Sequence, residues 1–159
     1  MTVNFAAKGD PQGKGRPRFN RNGAVYTPEK TAHYEEYIRL KYIQQCGKTF
    51  PEGAQLRLSI VAYFKIPEGT SWKRRAKMLA GEIRPAIKPD GDNIMKIIAD
   101  ALNGVAYKDD KVIVSWRCEK WYGEVAGVFV SVDDGNYSLN NWAVDDDTYV
   151  GSGKKLDED

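Results

Sequence analysis

The stretch from Lys88 to Val112 reads KPDGDNIMKIIADALNGVAYKDDKV and combines helical periodicity with a high density of charge. Its apolar residues recur at the spacing of one helix face. This predicts a helix over Asn93–Asn103, with Asp92 as its N-cap and Gly104 just beyond its end. The predicted buried positions are Ile94, Ile97, Ile98 and Ala101.

Two acidic pairs flank this helix: Asp90 and Asp92 precede it, and Asp109 and Asp110 follow it. Carboxylates this close repel one another unless a cation neutralises them, and oxygen-only ligands favour Mg²⁺ or Mn²⁺ over zinc. In an extended Asp-Gly-Asp segment both carboxylates point the same way. Asp110 would join them from the start of the next strand. The pattern predicts a metal site suited to phosphate chemistry.

Lys96 lies one turn beyond Asp92 on the same predicted helix, within reach of a phosphate or a developing negative charge. Structural interpretations stay open for each residue taken alone. Asp92 could serve only as a helix cap, Asp109-Asp110 could be a polar turn, and Asp100 could simply pair with Lys96. The chain has one histidine, so a mechanism based on histidine is not expected.

Length and composition narrow the class of protein. The 159 residues suffice for one domain with a hydrophobic core. No apolar run approaches the roughly 18 residues of a membrane span, and the opening MTVNFAAKGD lacks an export pattern. Cys46 and Cys118 are too few for a disulfide framework or a cysteine zinc site. The expected location is the cytoplasm.

The net charge of +2 conceals an uneven distribution. Residues 133–159 hold eight acids and two lysines, so residues 1–132 hold 22 basic and 14 acidic residues, an excess of +8. A basic body around an acidic pocket suits a polyanion such as nucleic acid, although ordinary solubility charge is the alternative. The candidate DNA contacts are Lys14, Arg16, Arg18 and Arg21 in an N-terminal loop, and Lys73, Arg74 and Arg75 in a second cluster.

The remaining elements predict an α+β fold, a single domain with helices packed on a mixed or antiparallel sheet. The domain is expected to cover residues 1–135, with an acidic, flexible tail over 136–159. Leu56–Ile66 is apolar on both faces and predicts a central strand. The other predicted elements are a strand at 3–5, a hairpin turn at Asn22-Gly23, a helix from Thr27-Pro28 to Gly47, a helix from Ser71 to Gly81, and an antiparallel hairpin of Val112–Trp121 with Val125–Val132.

The order and spacing of these blocks resemble the RusA-type Holliday-junction resolvases, small endodeoxyribonucleases common in bacteriophages and prophages. The similarity covers roughly residues 3–132. It is carried by Lys14-Gly15-Arg16-Pro17-Arg18-Phe19, Tyr26-Thr27-Pro28, Lys88-Pro89-Asp90-Gly91-Asp92-Asn93, Lys96, Asp100-Ala101-Leu102-Asn103-Gly104 and Asp109-Asp110.

The resemblance implies a Mg²⁺-dependent nuclease, with Mn²⁺ as a substitute, that resolves Holliday junctions by paired phosphodiester cleavage in recombination and repair. It implies a homodimer acting on branched, four-way DNA in the cytoplasm of a bacterial host, with no membrane partner. Three metal-binding aspartates map onto Asp90, Asp92 and Asp110, and a catalytic lysine maps onto Lys96. The alternative is a catalytically silent protein of the same fold that binds junction DNA as an accessory factor.

Overall fold

The computed structural model describes residues 1–135, in which two sheets and three α-helices form. The strands are β1 Thr2–Lys8, β2 Arg18–Phe19, β3 Val25–Tyr26, β4 Leu56–Lys65, β5 Ile113–Gly123 and β6 Gly127–Asp133. The helices are α1 Glu29–Gln45, α2 Trp72–Leu79 and α3 Gly91–Leu102, and a single 3₁₀ turn spans Asp110–Val112. The predicted tail over 136–159 lies outside the described residues.

The main sheet is mixed and has the strand order β1-β6-β4-β5. Strand β4 pairs in parallel with β5 and antiparallel with β6, and β6 pairs antiparallel with β1. Parallel neighbours need a long crossover connection, and the segment carrying α2 and α3 supplies it between β4 and β5. The predicted α+β class, with helices on a mixed sheet and Leu56–Ile66 at its centre, is confirmed.

The predicted antiparallel hairpin of Val112–Trp121 with Val125–Val132 is wrong. Both strands form, but they lie on opposite sides of β4 rather than beside each other. The apolar alternation of β4 buries five of its ten residues and leaves Val61 half-buried on the other face. A strand of this kind requires a neighbour on each edge. The turn at residues 124–126 therefore carries the chain across the end of β4.

Helices α1 and α3 pack against each other, and they contact β1 and β5 respectively. Together they cover one face of the sheet and enclose the core. Helix α3 buries one broad face, because six of its twelve residues are buried. The four positions predicted on its buried face are all among them, and this burial fixes the polar residues of α3 relative to the sheet.

Helix ends follow the predicted signals with small shifts. Ser71 caps α2 and its hydroxyl accepts a hydrogen bond from Arg74 N at 3.4 Å. Helix α1 begins one residue later than predicted, with Pro28 rather than Thr27 as its cap. Helix α3 begins earlier than predicted, with Asp90 rather than Asp92 as its cap. The Asp-Gly-Asp segment is therefore the first turn of a helix and not the end of a strand.

The Asn22-Gly23 turn forms as predicted and joins β2 to β3. Gly23 has a φ of +76°, which suits a residue without a side chain. Asn20 stabilises the turn because its Oδ1 accepts hydrogen bonds from the backbone of Asn22 at 3.0 Å and Ala24 at 2.9 Å. This two-stranded hairpin, the β2–β3 arm, carries Arg18 and Arg21 on an exposed surface.

Substitution Ile98→Ala tests the contribution of α3 to the core. Ile98 is fully buried, and removal of three carbons leaves a cavity, so we expect a loss of about 2–5 kcal/mol in the free energy of unfolding. Denaturant titration followed by circular dichroism measures it. The control Leu40→Ala removes a side chain that is 47% exposed and should stay within about 0.5 kcal/mol of the parent. Equal losses in the two variants would contradict the packing of α3.

No helix among residues 1–135 is long and apolar enough to cross a lipid bilayer.

Candidate active site

Lys96 connects two carboxylates that come from different elements. Its Nζ lies 2.7 Å from Asp110 Oδ2 and 3.0 Å from Asp100 Oδ1. The pairing with Asp100, one turn along α3, is the i, i+4 contact that the sequence left open. The side chain of Lys96 is 52% exposed, whereas those of Asp100 and Asp110 are 18% and 22% exposed. The ammonium group therefore sits at the surface above two partly buried acids.

Asp90 and Asp92 lie at the N-terminal end of α3 and are both exposed. Asp90 is the N-cap residue, but its side chain makes no capping hydrogen bond. Negative charge is favoured at this end of a helix dipole. Because residues two apart on a helix do not face each other, the extended geometry expected for the pair does not apply. Both side chains are accessible to solvent, and Asp90 also lines the groove described below.

Asp109 and Asp110 have different tasks. Asp109 caps the 3₁₀ turn, since its Oδ1 accepts a hydrogen bond from Lys111 N at 2.9 Å. Asp110 begins that turn and points its carboxylate at Lys96. The preceding loop is anchored by Tyr107, which is buried and donates its hydroxyl to Ala99 O on α3 at 2.9 Å. The loop anchored on α3 thus brings Asp110 beside the helix, and the cap made by Asp109 stabilises the turn in which Asp110 lies.

The segment Gly13-Lys14-Gly15 is the third contributor to this site. Lys14 Nζ lies 2.8 Å from Asp100 Oδ2 and also pairs with Glu35 of α1. The backbone of Lys14 is held too, because its N–H donates to Asn93 O at 3.0 Å. The ion pairs form one continuous chain of charges, which runs Glu35, Lys14, Asp100, Lys96, Asp110.

The hydrogen bonds of the chain favour the charged forms of Lys96, Lys14 and Asp100. Hydrogen bonds to Asp110 and Asp100 raise the pKa of Lys96 above its ordinary value. Burial lowers the pKa of Lys14, but hydrogen bonds to Asp100 and Glu35 outweigh it and the net shift is upward. Burial raises the pKa of Asp100, yet hydrogen bonds from both lysines outweigh it and the net shift is downward. Three acids and two lysines leave one net negative charge.

A polar groove of about 750 Å³ opens beside the N-terminal end of α3. Asp90 and Asn93 line one part of it, and the segment from Asp10 to Lys14 lines another. Four cationic side chains also contribute to the lining: Lys14, Arg16, Lys30 and Lys88. The groove therefore combines positive charge, which suits phosphates, with the carboxylate of Asp90 at its edge.

The other predicted DNA contacts lie apart from the groove lining. Arg18 and Arg21 are exposed on the β2–β3 arm. Lys73 and Arg74 are exposed on α2, where Lys73 lies 5.6 Å from the ring centre of Trp72. Arg75 pairs with Glu124 at 3.1 Å. Their contact with DNA stays a prediction.

A family model described as Endodeoxyribonuclease RusA matches residues 8–133. The chain belongs to the RusA endodeoxyribonuclease family. An uncharacterized protein of Bacillus subtilis (strain 168), YqaN, is 34% identical over 135 residues, which cover 82% of this chain and 94% of the relative. Members of the RusA family are Holliday-junction-resolving endonucleases that act on branched DNA and generally depend on a divalent metal. The resemblance predicted from the sequence is confirmed.

The donor atoms of the site suit a divalent cation, but the side chains that the structure describes do not by themselves form a complete metal site. Asp90, Asp92 and Asp110 offer only oxygen donors, as Mg²⁺ prefers. Within residues 1–135, no group of three or more acidic, histidine or cysteine side chains is arranged to hold a metal ion. Mg²⁺ commonly uses one or two carboxylates and completes its shell with water and substrate phosphates, so the donor set is compatible with such a site.

Sequence reasoning missed Glu35, Lys30 and Lys88. For Glu35 a signal exists, because it shares the helical spacing of Thr31, Ile38 and Tyr42, which are buried on α1. An acid on a buried stripe calls for a cationic partner, and Lys14 is that partner. Lys30 and Lys88 gave no such signal, since an isolated lysine is usually a solvated residue.

Proposed function

We propose that this protein is a Mg²⁺-dependent, structure-selective endodeoxyribonuclease that resolves Holliday junctions by paired cleavage of two strands, with Mn²⁺ as a substitute metal. The observation that carries the proposal is Lys96 paired to Asp110 at 2.7 Å, on the helix whose N-terminal end carries Asp90 and Asp92. Membership of a nuclease family and the cationic groove that Asp90 lines both support it.

The proposal gives each of these residues a role. Asp90, Asp92 and Asp110 would hold the metal, which when bound would polarise the scissile phosphodiester and lower the pKa of a coordinated water. Lys96 would neutralise charge that develops on the phosphate, because its ammonium group is exposed and held over the site. The exposed arginine of the groove, Arg16, and the lysines Lys30 and Lys88 would position the DNA backbone.

The decisive experiment uses a labelled synthetic four-way junction. The purified chain should cut two opposing strands symmetrically with Mg²⁺ and leave the junction intact with EDTA. A linear duplex of the same sequence serves as the control and should not be cut at a comparable rate. Absence of metal-dependent cleavage on the junction would contradict the proposal.

The alternative is a catalytically silent protein that binds junction DNA. Two observations favour it: the described residues do not assemble three metal-binding side chains, and Lys96 already pairs with Asp110. Calorimetric titration with Mg²⁺ and Mn²⁺ separates the two functions. Binding of metal together with cleavage supports the nuclease, whereas junction binding without either supports the silent protein.

A second expected property is dimerisation, because paired cleavage of a four-way junction requires two active sites of opposite orientation. Sedimentation of the chain alone and on a junction measures the stoichiometry. A single protomer bound to a junction that is nevertheless cut on both strands would contradict this arrangement.

Removal of positive charge from the groove should change how strongly junction binding depends on salt concentration. We expect Arg16→Gln and Lys88→Gln each to weaken junction binding and to reduce the slope of log K against log salt by about 0.7–0.9, the amount for one phosphate contact. Fluorescence anisotropy at several salt concentrations gives this slope. The control Lys48→Gln removes an exposed charge outside the groove lining and should leave the slope unchanged.

A further inference from the structure

The Gly13-Lys14-Gly15 segment, hereafter the strap, is packed between two helices more tightly than an ordinary loop. A Cβ atom on Gly13 would lie 2.9 Å from Pro89 Cβ and 3.1 Å from Asn93 Cβ, beside the first turn of α3. A Cβ atom on Gly15 would lie 2.6 Å from Thr31 Oγ1 of α1. Only glycine fits both positions without a shift of the neighbours.

Backbone hydrogen bonds fix the strap on both sides. Lys14 N donates to Asn93 O at 3.0 Å, and Gly15 N donates to Thr31 Oγ1 at 3.3 Å. The side chain of Lys14, which is 24% exposed, is therefore delivered into the gap between Glu35 and Asp100. This geometry does not suit a phosphate-binding lysine, because the ammonium group of Lys14 is already paired with two carboxylates.

Asp100 divides its two oxygens between two lysines. Oδ2 accepts from Lys14 at 2.8 Å, and Oδ1 lies 3.0 Å from Lys96. Without Lys14, the second oxygen of a largely buried carboxylate would be unpaired, and an unpaired buried charge is costly. The carboxylate would then turn both oxygens toward Lys96 and draw its ammonium group away from Asp110.

We propose that the strap lysine Lys14 and the helix residue Asp100 are positioning residues, which hold Lys96 over Asp110 in the orientation that the reaction needs. The inference rests on the proposed function for its catalytic consequence. Its structural part, the restraint of Lys96 by Lys14 through Asp100, stands on the ion pairs themselves. Neither residue is assigned contact with the substrate.

The first test measures the restraint directly and requires no cleavage. Proton–nitrogen spectra of the lysine ammonium groups should show a slowly exchanging signal for Lys96, assigned by its absence in Lys96→Arg. In Lys14→Met this signal should shift, and its ammonium protons should exchange faster because Lys96 is less restrained. The matched variant Lys30→Met removes another lysine of the groove and should leave it in place. An unchanged Lys96 signal in Lys14→Met would overturn the inference.

The second test measures cleavage under single-turnover conditions at saturating junction and Mg²⁺. Lys14→Met and Asp100→Asn should each slow cleavage by roughly 10- to 100-fold, a range typical of small misplacements of a reacting group. Their junction dissociation constants should remain within about twofold, and the double variant should be no slower than Asp100→Asn alone, since both act through one path. Lys14→Arg should recover part of the rate because it can still pair with both acids.

The outcomes separate the two proposals. Weaker junction binding with an unchanged single-turnover rate in Lys14→Met would make Lys14 a phosphate contact and overturn its positioning role. If the parent protein does not cleave at all, the proposed function fails, while the ammonium spectra still decide the restraint. If Lys14→Met does not fold, Asp100→Asn carries both measurements, because it keeps the shape of the side chain.

Discussion

Replacement of Asp90 or Asp92 by asparagine is expected to abolish cleavage of a four-way junction while leaving junction binding intact. An amide keeps the size of the carboxylate but removes the negative charge that would hold Mg²⁺. Metal assistance is worth several kcal/mol of transition-state stabilisation, and about 4 kcal/mol corresponds to roughly a thousandfold in rate. Single-turnover cleavage and anisotropy on the same junction measure the two quantities.

The fold should survive these substitutions. Asparagine is as good an N-cap residue as aspartate, and the Asp90 side chain makes no capping hydrogen bond that could be lost. The matched control is Asp109→Asn, which alters an exposed acid next to Asp110 but can still accept the hydrogen bond from Lys111 N. It should cleave at nearly the parent rate. Cleavage by Asp90→Asn or Asp92→Asn at the parent rate would remove these residues from the metal site.

Local signals in the sequence were sufficient for most helices and strands. Ser71 and the glycines that follow α1, α2 and α3 mark helix ends by chemistry that acts within a few residues. Each of the glycines Gly47, Gly81 and Gly104 has a positive φ, which is what the end of a helix commonly requires. The alternating apolar residues of Leu56–Ile66 placed β4 at the sheet centre.

Strand pairing was harder to predict because it depends on contacts between distant parts of the chain. The short turn after Gly123 resembles a hairpin turn, and proximity in sequence favours a hairpin between its flanking strands. A central strand such as β4 needs a hydrogen-bonded neighbour on each edge. Strand β5 pairs with one edge of β4 and β6 with the other, so β5 and β6 do not pair with each other.

The candidate site could be predicted only where its contacts are local in the sequence. The Lys96–Asp100 contact lies within one helix, so sequence spacing reveals it, and the short loop after α3 brings Asp110 to the same place. Lys14 lies 86 residues from Asp100 in the sequence, and no local pattern joins them. Its neighbours suggested a basic DNA-contacting loop, whereas the two glycines beside it reveal close packing only once the helices are in place.

Lys96→Met is expected to produce two effects of opposite sign, slower cleavage and tighter metal binding. Removal of one group that stabilises developing charge typically costs about 100- to 1000-fold in rate. At the same time, Asp110 loses the ammonium group 2.7 Å away that competes with a metal for its carboxylate. Because Lys96 is half exposed, solvent screening limits this gain to about 1 kcal/mol or less, or up to roughly fivefold in the Mg²⁺ dissociation constant.

The matched control is Lys111→Met, which removes the same unit charge from the residue next to Asp110. Lys111 is exposed, so its loss changes the local field without freeing the carboxylate of Asp110. Lys111→Met should therefore bind Mn²⁺ with nearly the parent dissociation constant and cleave at nearly the parent rate. Calorimetric titration and single-turnover cleavage measure these two quantities. Slower cleavage with weaker metal binding in Lys96→Met would mean that Lys96 supports the metal site instead of competing with it. Because the ammonium group of Lys96 repels a cation and occupies a lone pair of Asp110, tighter metal binding in Lys96→Met but not in Lys111→Met would support Asp110 as a metal ligand.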